Sequence, residues 1–282
     1  MIKVTAPVRI DISPGWSDAD PFRNQFGGAV LNAAINMRVS ATLDKKNLIS
    51  SLEKVPMASG LGTSGALRTV YLVAANPNLL RDKIDLINRV HIFENAIVGQ
   101  RAGFQDQAAA IFGGVNYWHF RKNDGIRRVE IPKWKSKHLH DRLVLVFTGD
   151  RHLSSNVHEQ VFGGKKYMAH ILTINRMKII AKEMLKHISN EKKMAELIRE
   201  SWILQKSLNP NMETKTMKKL QELTKECYLA CRATGAGGGG CMIFYTNEKA
   251  KLVRALNKIN GNMPKMRVLD FEFDYRGLEI SK

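Results

Sequence analysis

The opening residues MIKVTAPVRIDI alternate apolar and polar side chains with the two-residue period of a half-buried strand. A polar loop, SPGWSDADPFRNQFGG, interrupts that pattern; the apolar stretch AVLNAAI follows, with RVSATLD and NLISSLE as further strand candidates. After PMASGLGTSGAL the period lengthens, and the spacing predicts a helix through about Asn76, where NPN stops it. Another helix is predicted from Arg81 to Val98 and a short third over QDQAAAIF, ended by Gly113-Gly114. VNYWHFR and IRRVEI read as strands paired around a KNDG turn, and RLVLVFTGD as an apolar strand ending in a polar loop. Helical periodicity then runs from about 154 to 231, broken near Asn190 and at NPNM, 209–212. GAGGGG lies between two strand-like pieces, KAKLVRALNKI reads as a closing helix and MRVLDFEF as the last strand. The change of pattern near residue 150 suggests an N-terminal domain, 1–150, and a C-terminal domain, 151–282, without a linker or a repeat.

A chain of 282 residues can bury proper cores without covalent staples. Its three cysteines are too few for a disulfide framework, and Cys227 and Cys231 sit one turn apart in a helical pattern with no ligand-spaced partners. A reduced, cytoplasmic protein is the expectation. The N-terminus lacks the basic-then-apolar layout of a signal peptide, and no apolar run reaches membrane-spanning length. Charge is the compositional outlier, with 44 Lys plus Arg against 26 Asp plus Glu, a formal +18. Such a field favours anionic partners, whether nucleotides, phosphorylated metabolites, nucleic acid or a membrane surface. Much of the excess is spread along helices, as in GKKYMAHILTINRMKIIAKEMLKHISNEKK, which reads as a solvated basic face. Without an RNA-recognition signature, zinc-finger spacing or aromatic interleaving, nucleic acid is not the expected partner.

Four stretches carry candidate chemistry. In PMASGLGTSGAL, Gly60, Gly62 and Gly65 allow successive amides to point into one concavity, and the helix behind them adds its N-terminal N–H groups. Ser59, Thr63 and Ser64 supply hydroxyls for phosphate oxygens or magnesium. No Gly-Lys-Ser/Thr closes the loop, so it is not a Walker motif, and a ligand-free glycine cap remains the plain alternative. TGAGGGGCMIFY holds four consecutive glycines, an entropic cost that suits close approach to the backbone, or else a plain loop. In AGFQDQAAAIFGG, Asp106 at a helix start is by itself a cap, and Glu94 by itself a helix-surface carboxylate. A phosphate cradle in the same domain opens a second role for both, Glu94 binding magnesium and Asp106 handling an acceptor hydroxyl; spacing leaves the choice open. In APVRIDISPGWSDADP, Arg9 on an otherwise buried strand needs a partner. Asp18 sits in a tight loop suited to a hydroxyl-rich ligand and Trp16 can stack on a sugar face; a salt-bridged Arg and a turn-capping Asp are the alternatives.

In this order the four motifs resemble the GHMP kinases, the superfamily of galactokinase, homoserine kinase and mevalonate kinase. PMASGLGTSGAL looks like the family's Pro-x-x-x-Gly-Leu-Gly-Ser-Ser-Ala phosphate loop, TGAGGGGCMIFY its C-terminal glycine motif and APVRIDISPGWSD its N-terminal one. SPGWSDADP is most similar to fucokinases and AGFQDQAAAIFGGVNYWHF to heptose 7-phosphate kinases. VFTGDRHLSSNVHEQV resembles the Tyr-Thr-Gly-x-x-Arg segment of both, with Arg151 one place early. The resemblance implies an α+β fold, with an N-terminal domain containing a left-handed βαβ unit and a ferredoxin-like C-terminal domain. It implies ATP-dependent phosphorylation of a sugar hydroxyl, with ATP and Mg2+ in the cleft between the domains. By resemblance Asp106 is the catalytic aspartate and Arg9 lies near the transferred phosphoryl group. Pro56, Ser59, Gly60, Leu61, Gly62, Thr63, Ser64 and Gly65 form the nucleotide loop, and Ser64 and Glu94 ligate magnesium. Asp18 contacts the sugar together with Trp16, and Gly235 to Gly240, with Gly237 and Gly238 at their centre, approach the substrate and the phosphates. Gly65 replaces a usual alanine and Pro14 a usual glycine. The interval from Pro21 to Pro56 is shorter than in sugar kinases of this branch, where it carries part of the adenine pocket. A kinase for a non-sugar acceptor and a non-catalytic sugar or nucleotide sensor stay open as alternatives. A homodimer is compatible with the sequence.

Overall fold

The computed structural model describes residues 2–44, 47–122, 125–150, 154–164 and 166–281. From the N-terminus, β1 (Ile2–Asp11) leads through a loop and the single-turn α1 (Phe22–Phe26) into β2 (Gly28–Asp44), which returns in β3 (Asn47–Glu53). Then come α2 (Thr63–Ala75), α3 (Lys83–Ile92), α4 (Gln105–Phe112), β4 (Val115–Phe120), β5 (Ile126–Glu130) and α5 (Lys133–His140). After β6 (Leu143–Phe147) the chain is helical through α6 (Ser154–Phe162), α7 (Lys166–Lys186), α8 (Glu191–Leu208) and α9 (Lys215–Thr224). It ends with β7 (Ala230–Ala233), β8 (Cys241–Tyr245), α10 (Lys249–Ile259), β9 (Arg267–Leu269) and β10 (Glu279–Ser281).

Two antiparallel sheets organise these elements, a six-stranded one in the order β10-β1-β2-β4-β5 with β3 on the far half of β2, and a four-stranded one in the order β7-β8-β6-β9. In chain order the second sheet is 2-3-1-4, with helices between its first and second and its third and fourth strands. That is the ferredoxin-like arrangement the resemblance implies. AVLNAAI and RVSATLD prove to be one strand: the register against β1 shifts at Pro7/Val8, and β2 accommodates Asn36 and Met37 as a bulge. The polar Asn36 breaks the alternation that would have shown this continuity.

Residue 150 is not where the layers part. β6, before it, belongs to the second sheet, while β10 at the far end of the chain pairs with β1 in the first. Sheet membership depends on pairing across the chain, whereas the sequence shows only where long helices begin. The helical stretch also ends earlier than expected, at Thr224, so Cys227 lies in a 3-10 turn and Cys231 on β7 rather than one turn apart on a helix. α5 was not foreseen, because KWKSKHLH buries only Ser136 and Leu139 and has a weak apolar stripe.

Helices α2 and α4 lie over β1 and β2 with α3 packed against both helices, burying Ala66, Val70 and Val73, Leu86, Ile87 and Val90, and Ala108 and Ile111 in one core. Each large aliphatic side chain contributes roughly 1.5–3 kcal/mol by that burial. The two sheets are joined by a buried ion pair. Arg232 on β7, with no exposed surface, donates to the Asp11 carbonyl at 2.5 Å, to Asp11 Oδ2 at 3.3 Å and to Gln205 Oε1 at 2.8 Å. Asp11 Oδ1 accepts the Gly235 N–H at 2.9 Å, so the end of β1 is fixed to the start of the glycine tract.

Candidate active site

A cleft of about 280 Å³ opens beside this joint, lined by the glycine loop, the N-terminal loop and the turn before α4. The glycine loop owes its path to Gly60 and Gly62, both at φ +72°, where a side chain would be strained. α2 starts at Thr63 and directs its N-terminus at the cleft, with first-turn N–H groups that have no intrahelical acceptor. The loop is clamped from two sides. Arg9 Nη1 donates to the Gly60 carbonyl at 2.6 Å and the Arg9 amide to the Leu61 carbonyl at 2.9 Å. From the second sheet, Cys241 N–H donates to the Ser59 carbonyl at 2.8 Å and Thr234 Oγ1 to the Gly60 carbonyl at 3.2 Å. A Cβ at Gly240 would stand 2.5 Å from the Ser59 carbonyl oxygen, which is why this contact needs a glycine.

Asp106 lies on the first turn of α4, directly across from the loop. Arg9, almost fully buried, holds Asp106 Oδ1 with Nε at 2.8 Å and Nη2 at 2.7 Å, supplying the partner its strand position demanded. A Cβ on Gly62 would meet Asp106 Cγ at 3.0 Å, and one on Gly65 would meet Asp106 Cβ at 2.7 Å, so both glycines make room for this carboxylate. Glu94 sits in a π-helical turn, Phe93–Ile97, that continues α3 and turns its side chain inward. Only 2% exposed, it accepts Ser64 Oγ at 3.4 Å through Oε1, while Oε2 has no partner. Burial, and next the negative charge of Asp106, push its carboxyl up to about 7.

The loop carrying Trp16 and Asp18 is pinned to β2 by Ser13 and Ser17. Leu31 N–H donates to Ser13 Oγ at 2.7 Å, and Ser17 Oγ donates to the Ala29 carbonyl at 2.9 Å. Asp18 Oδ2 accepts the Phe104 and Gln105 amides at 2.9 and 3.0 Å, capping the start of α4 from another segment. Burial raises its carboxyl to about 6 against the pull of those amides. Gly103 must be glycine here, since a Cβ would lie 2.2 Å from Asp18 Oδ2. Trp16 lines the cleft with its ring already packed on His158 and Phe162, at centroid distances of 5.0 and 5.8 Å.

The structure thus brings Arg9, Trp16, Asp18, Ser59, Gly60, Leu61, Gly62, Thr63, Ser64, Glu94 and Asp106 to one cleft. Pro56 is buried behind the loop, and Gly65 faces Asp106 from within α2. Gly237 and Gly238 do not line the cleft: they turn toward Met212 and Asn211. Gly235 and Ala236 line it instead, because the tract bends away after its first residues. Ser64 and Glu94 suit magnesium: the donors are hard oxygens, and Glu94 Oε2 and Thr63 Oγ1 are buried with no partner. Among the described residues no group of three or more His, Cys, Asp or Glu gathers as a metal site, so such an ion would be held jointly with phosphate oxygens.

The family model described as GHMP kinases N terminal domain matches residues 28–114, and the one described as GHMP kinases C terminal matches 180–265. The chain belongs to the GHMP kinases. It is 24% identical to the D-glycero-alpha-D-manno-heptose 7-phosphate kinase of Campylobacter jejuni, over 99% of this chain and 98% of that one. It is 22% identical to the L-fucokinase/L-fucose-1-P guanylyltransferase of Bacteroides fragilis, over 98% of this chain but only 38% of that longer protein. Among solved structures, a D-glycero-D-manno-heptose 1-phosphate kinase from Bacteroides thetaiotaomicron superposes with a TM-score of 0.77 at 22% identity, covering 100% of this chain and 99% of that one.

In this GHMP kinase the cleft also contains Gln100, Arg101, Gln105 and His158, which sequence reasoning did not single out. The run GQRAGFQDQ carried the signal for three of them, as polar residues flanking a glycine before a short helix. Arg151 lies outside the described residues. No helix among the described residues is long and apolar enough to cross a membrane.

Proposed function

We propose that this GHMP kinase transfers the γ-phosphoryl group of ATP to a hydroxyl of a hexose- or heptose-like sugar. The observation that carries the proposal is the Arg9–Asp106 pair, held at 2.7–2.8 Å across from the glycine loop in a cleft that also contains Glu94 and Asp18. The full-length similarity to a heptose 7-phosphate kinase supports the acceptor class. Phosphoryl transfer passes through a loose transition state, so the protein's work is positioning and charge stabilisation.

The loop amides and the N-terminus of α2 would bind the phosphates. Arg9 keeps Asp106 fixed, and its guanidinium is the cation nearest that carboxylate for charge that develops on the transferred group. Asp106, whose side chain is 27% exposed toward the cleft, would orient the acceptor hydroxyl and take its proton. Ser64 and Glu94 would hold magnesium, which when bound neutralises part of the triphosphate charge. Asp18, Gln105 and Trp16 supply the polar and aromatic lining that a sugar requires, and Arg101 provides a cation for an acceptor that already carries a phosphate. A reduced, cytoplasmic setting suits the cysteines, all free.

The test is ATP consumption with magnesium against fucose, galactose, mannose, heptose and heptose 7-phosphate, with Asp106→Asn as control. Turnover on one sugar that disappears in the variant supports the proposal. Absence of turnover across the panel together with absence of ATP binding overturns it in favour of a non-catalytic role.

A further inference from the structure

Arg68 stands one helical turn after Ser64 on α2, on the same face. Its Nη1 donates to Ser64 Oγ and lies 3.4 Å from Glu94 Oε1, while Nη2 donates to Gln100 Oε1 at 2.6 Å. Its side chain is only 15% exposed. A cation supplied by the chain therefore lies on the two groups that suit magnesium. Ser64 Oγ and Glu94 Oε1 are 3.4 Å apart, an edge that one cation can bridge and that a guanidinium and a hydrated metal ion cannot share. Arg9, the buried cation that lines the cleft, is committed to Asp106 and the Gly60 carbonyl, whereas Arg68 stands behind the lining and reaches it through Ser64, Glu94 and Gln100. The described partners of Arg68 are all side chains, none of them backbone, and its planar fork matches two phosphate oxygens as well as it matches Ser64 and Glu94.

We propose that Arg68 is a phosphate-binding residue that covers Ser64 and Glu94 in the nucleotide-free protein and moves to the phosphate oxygens when a nucleotide enters, so that the divalent ion arrives only with the nucleotide. The proposal rests on the kinase reading for its ligand. Glu94 then trades one cation for another, and its carboxylate is not left buried and uncompensated at either stage.

Two binding measurements without acceptor sugar test it on wild type, Arg68→Met, Arg68→Lys and the double variant Arg68→Met/Glu94→Gln. Electron paramagnetic resonance follows Mn2+ binding without nucleotide, and calorimetry follows ATP binding in EDTA and with Mg2+. Thermal unfolding of each variant verifies that it is folded, and Arg68→Lys keeps the charge if Arg68→Met proves unstable. The expected result is negligible Mn2+ binding by wild type, a gain in Arg68→Met that the double variant loses, and a fall of about 10- to 100-fold in metal-free ATP affinity in Arg68→Met. Arg68→Lys should fall between, because it lacks the bidentate fork. Mn2+ and ATP affinities in Arg68→Met equal to those of wild type overturn the proposal and leave the kinase reading intact. A wild-type protein that binds no ATP with or without Mg2+ overturns both.

Discussion

Replacing Gly65 with alanine would restore the residue usual at this place in the family's loop, yet here it should slow the enzyme. The added Cβ would lie 2.7 Å from Asp106 Cβ and 3.3 Å from Gln107 Oε1. Carbon atoms in contact prefer about 3.5–4.0 Å, so α2 and α4 must part by about 1 Å. The obstructing atom is next to the backbone and the Asp106 carboxylate is tied to Arg9, so no flexible chain end can absorb the shift. Displacing a catalytic group by about 1 Å can cost on the order of 100-fold in rate, about 2.7 kcal/mol in barrier. Stability should change less. Alanine gains about 1 kcal/mol of helix propensity at this helical position, against about 1–3 kcal/mol for overpacking. The variant should therefore be folded, with a Tm within several degrees of wild type, and should bind ATP while kcat falls by one to two orders of magnitude. Steady-state kinetics on the accepted sugar, beside a thermal melt and an ATP titration, would reveal this. A kcat within twofold of wild type would refute the claim that Gly65 sets the position of Asp106.

Two further predictions concern buried charge. Arg232→Met leaves the Asp11 carboxylate buried without its cation, and urea unfolding should show a loss of about 3–5 kcal/mol; a loss below about 1 kcal/mol would mean that the pair does not join the sheets. Asp18, raised by burial from an ordinary 3.8 to about 6, contributes stability that is complete below its unfolded value and disappears as pH rises through 6. Wild type should accordingly lose about 2.4 kcal/mol relative to Asp18→Asn between pH 4 and pH 8, and parallel urea-unfolding curves for the two proteins would contradict this.

The local chemistry of the site was legible because glycine and short polar residues leave a strong mark. The QDQ helix lies where its pattern put it and α2 ends within a residue of the expected stop, although it begins at Thr63, inside the glycine loop rather than after it. What joins them was not legible. Arg9 and Asp106 are 97 positions apart, and no spacing rule pairs a strand arginine with a helix-start carboxylate. Arg68 reads in the sequence as an ordinary polar position on an amphipathic helix, and the inward turn of Glu94 is what gives it an acidic partner. The glycine tract was recognised as a place of close approach, but what approaches is the protein's own loop: Gly235 and Gly240 back onto Gly60 and Ser59. Gly237 and Gly238 share the composition of their neighbours without sharing their surroundings, a distinction set by tertiary packing alone. The same limit explains the domain boundary, because β6 and β10 join sheets through partners far away in sequence.

The most direct measurement follows the γ-phosphoryl group itself. With γ-labelled ATP, magnesium and the accepted sugar, wild type should place the label on the sugar. Asp106→Asn should leave the label in ATP while binding the nucleotide with near wild-type affinity. Label transfer by Asp106→Asn at the wild-type rate, or release of label to water with the sugar untouched in wild type, would contradict the assignment of Asp106 as the group that positions and deprotonates the acceptor.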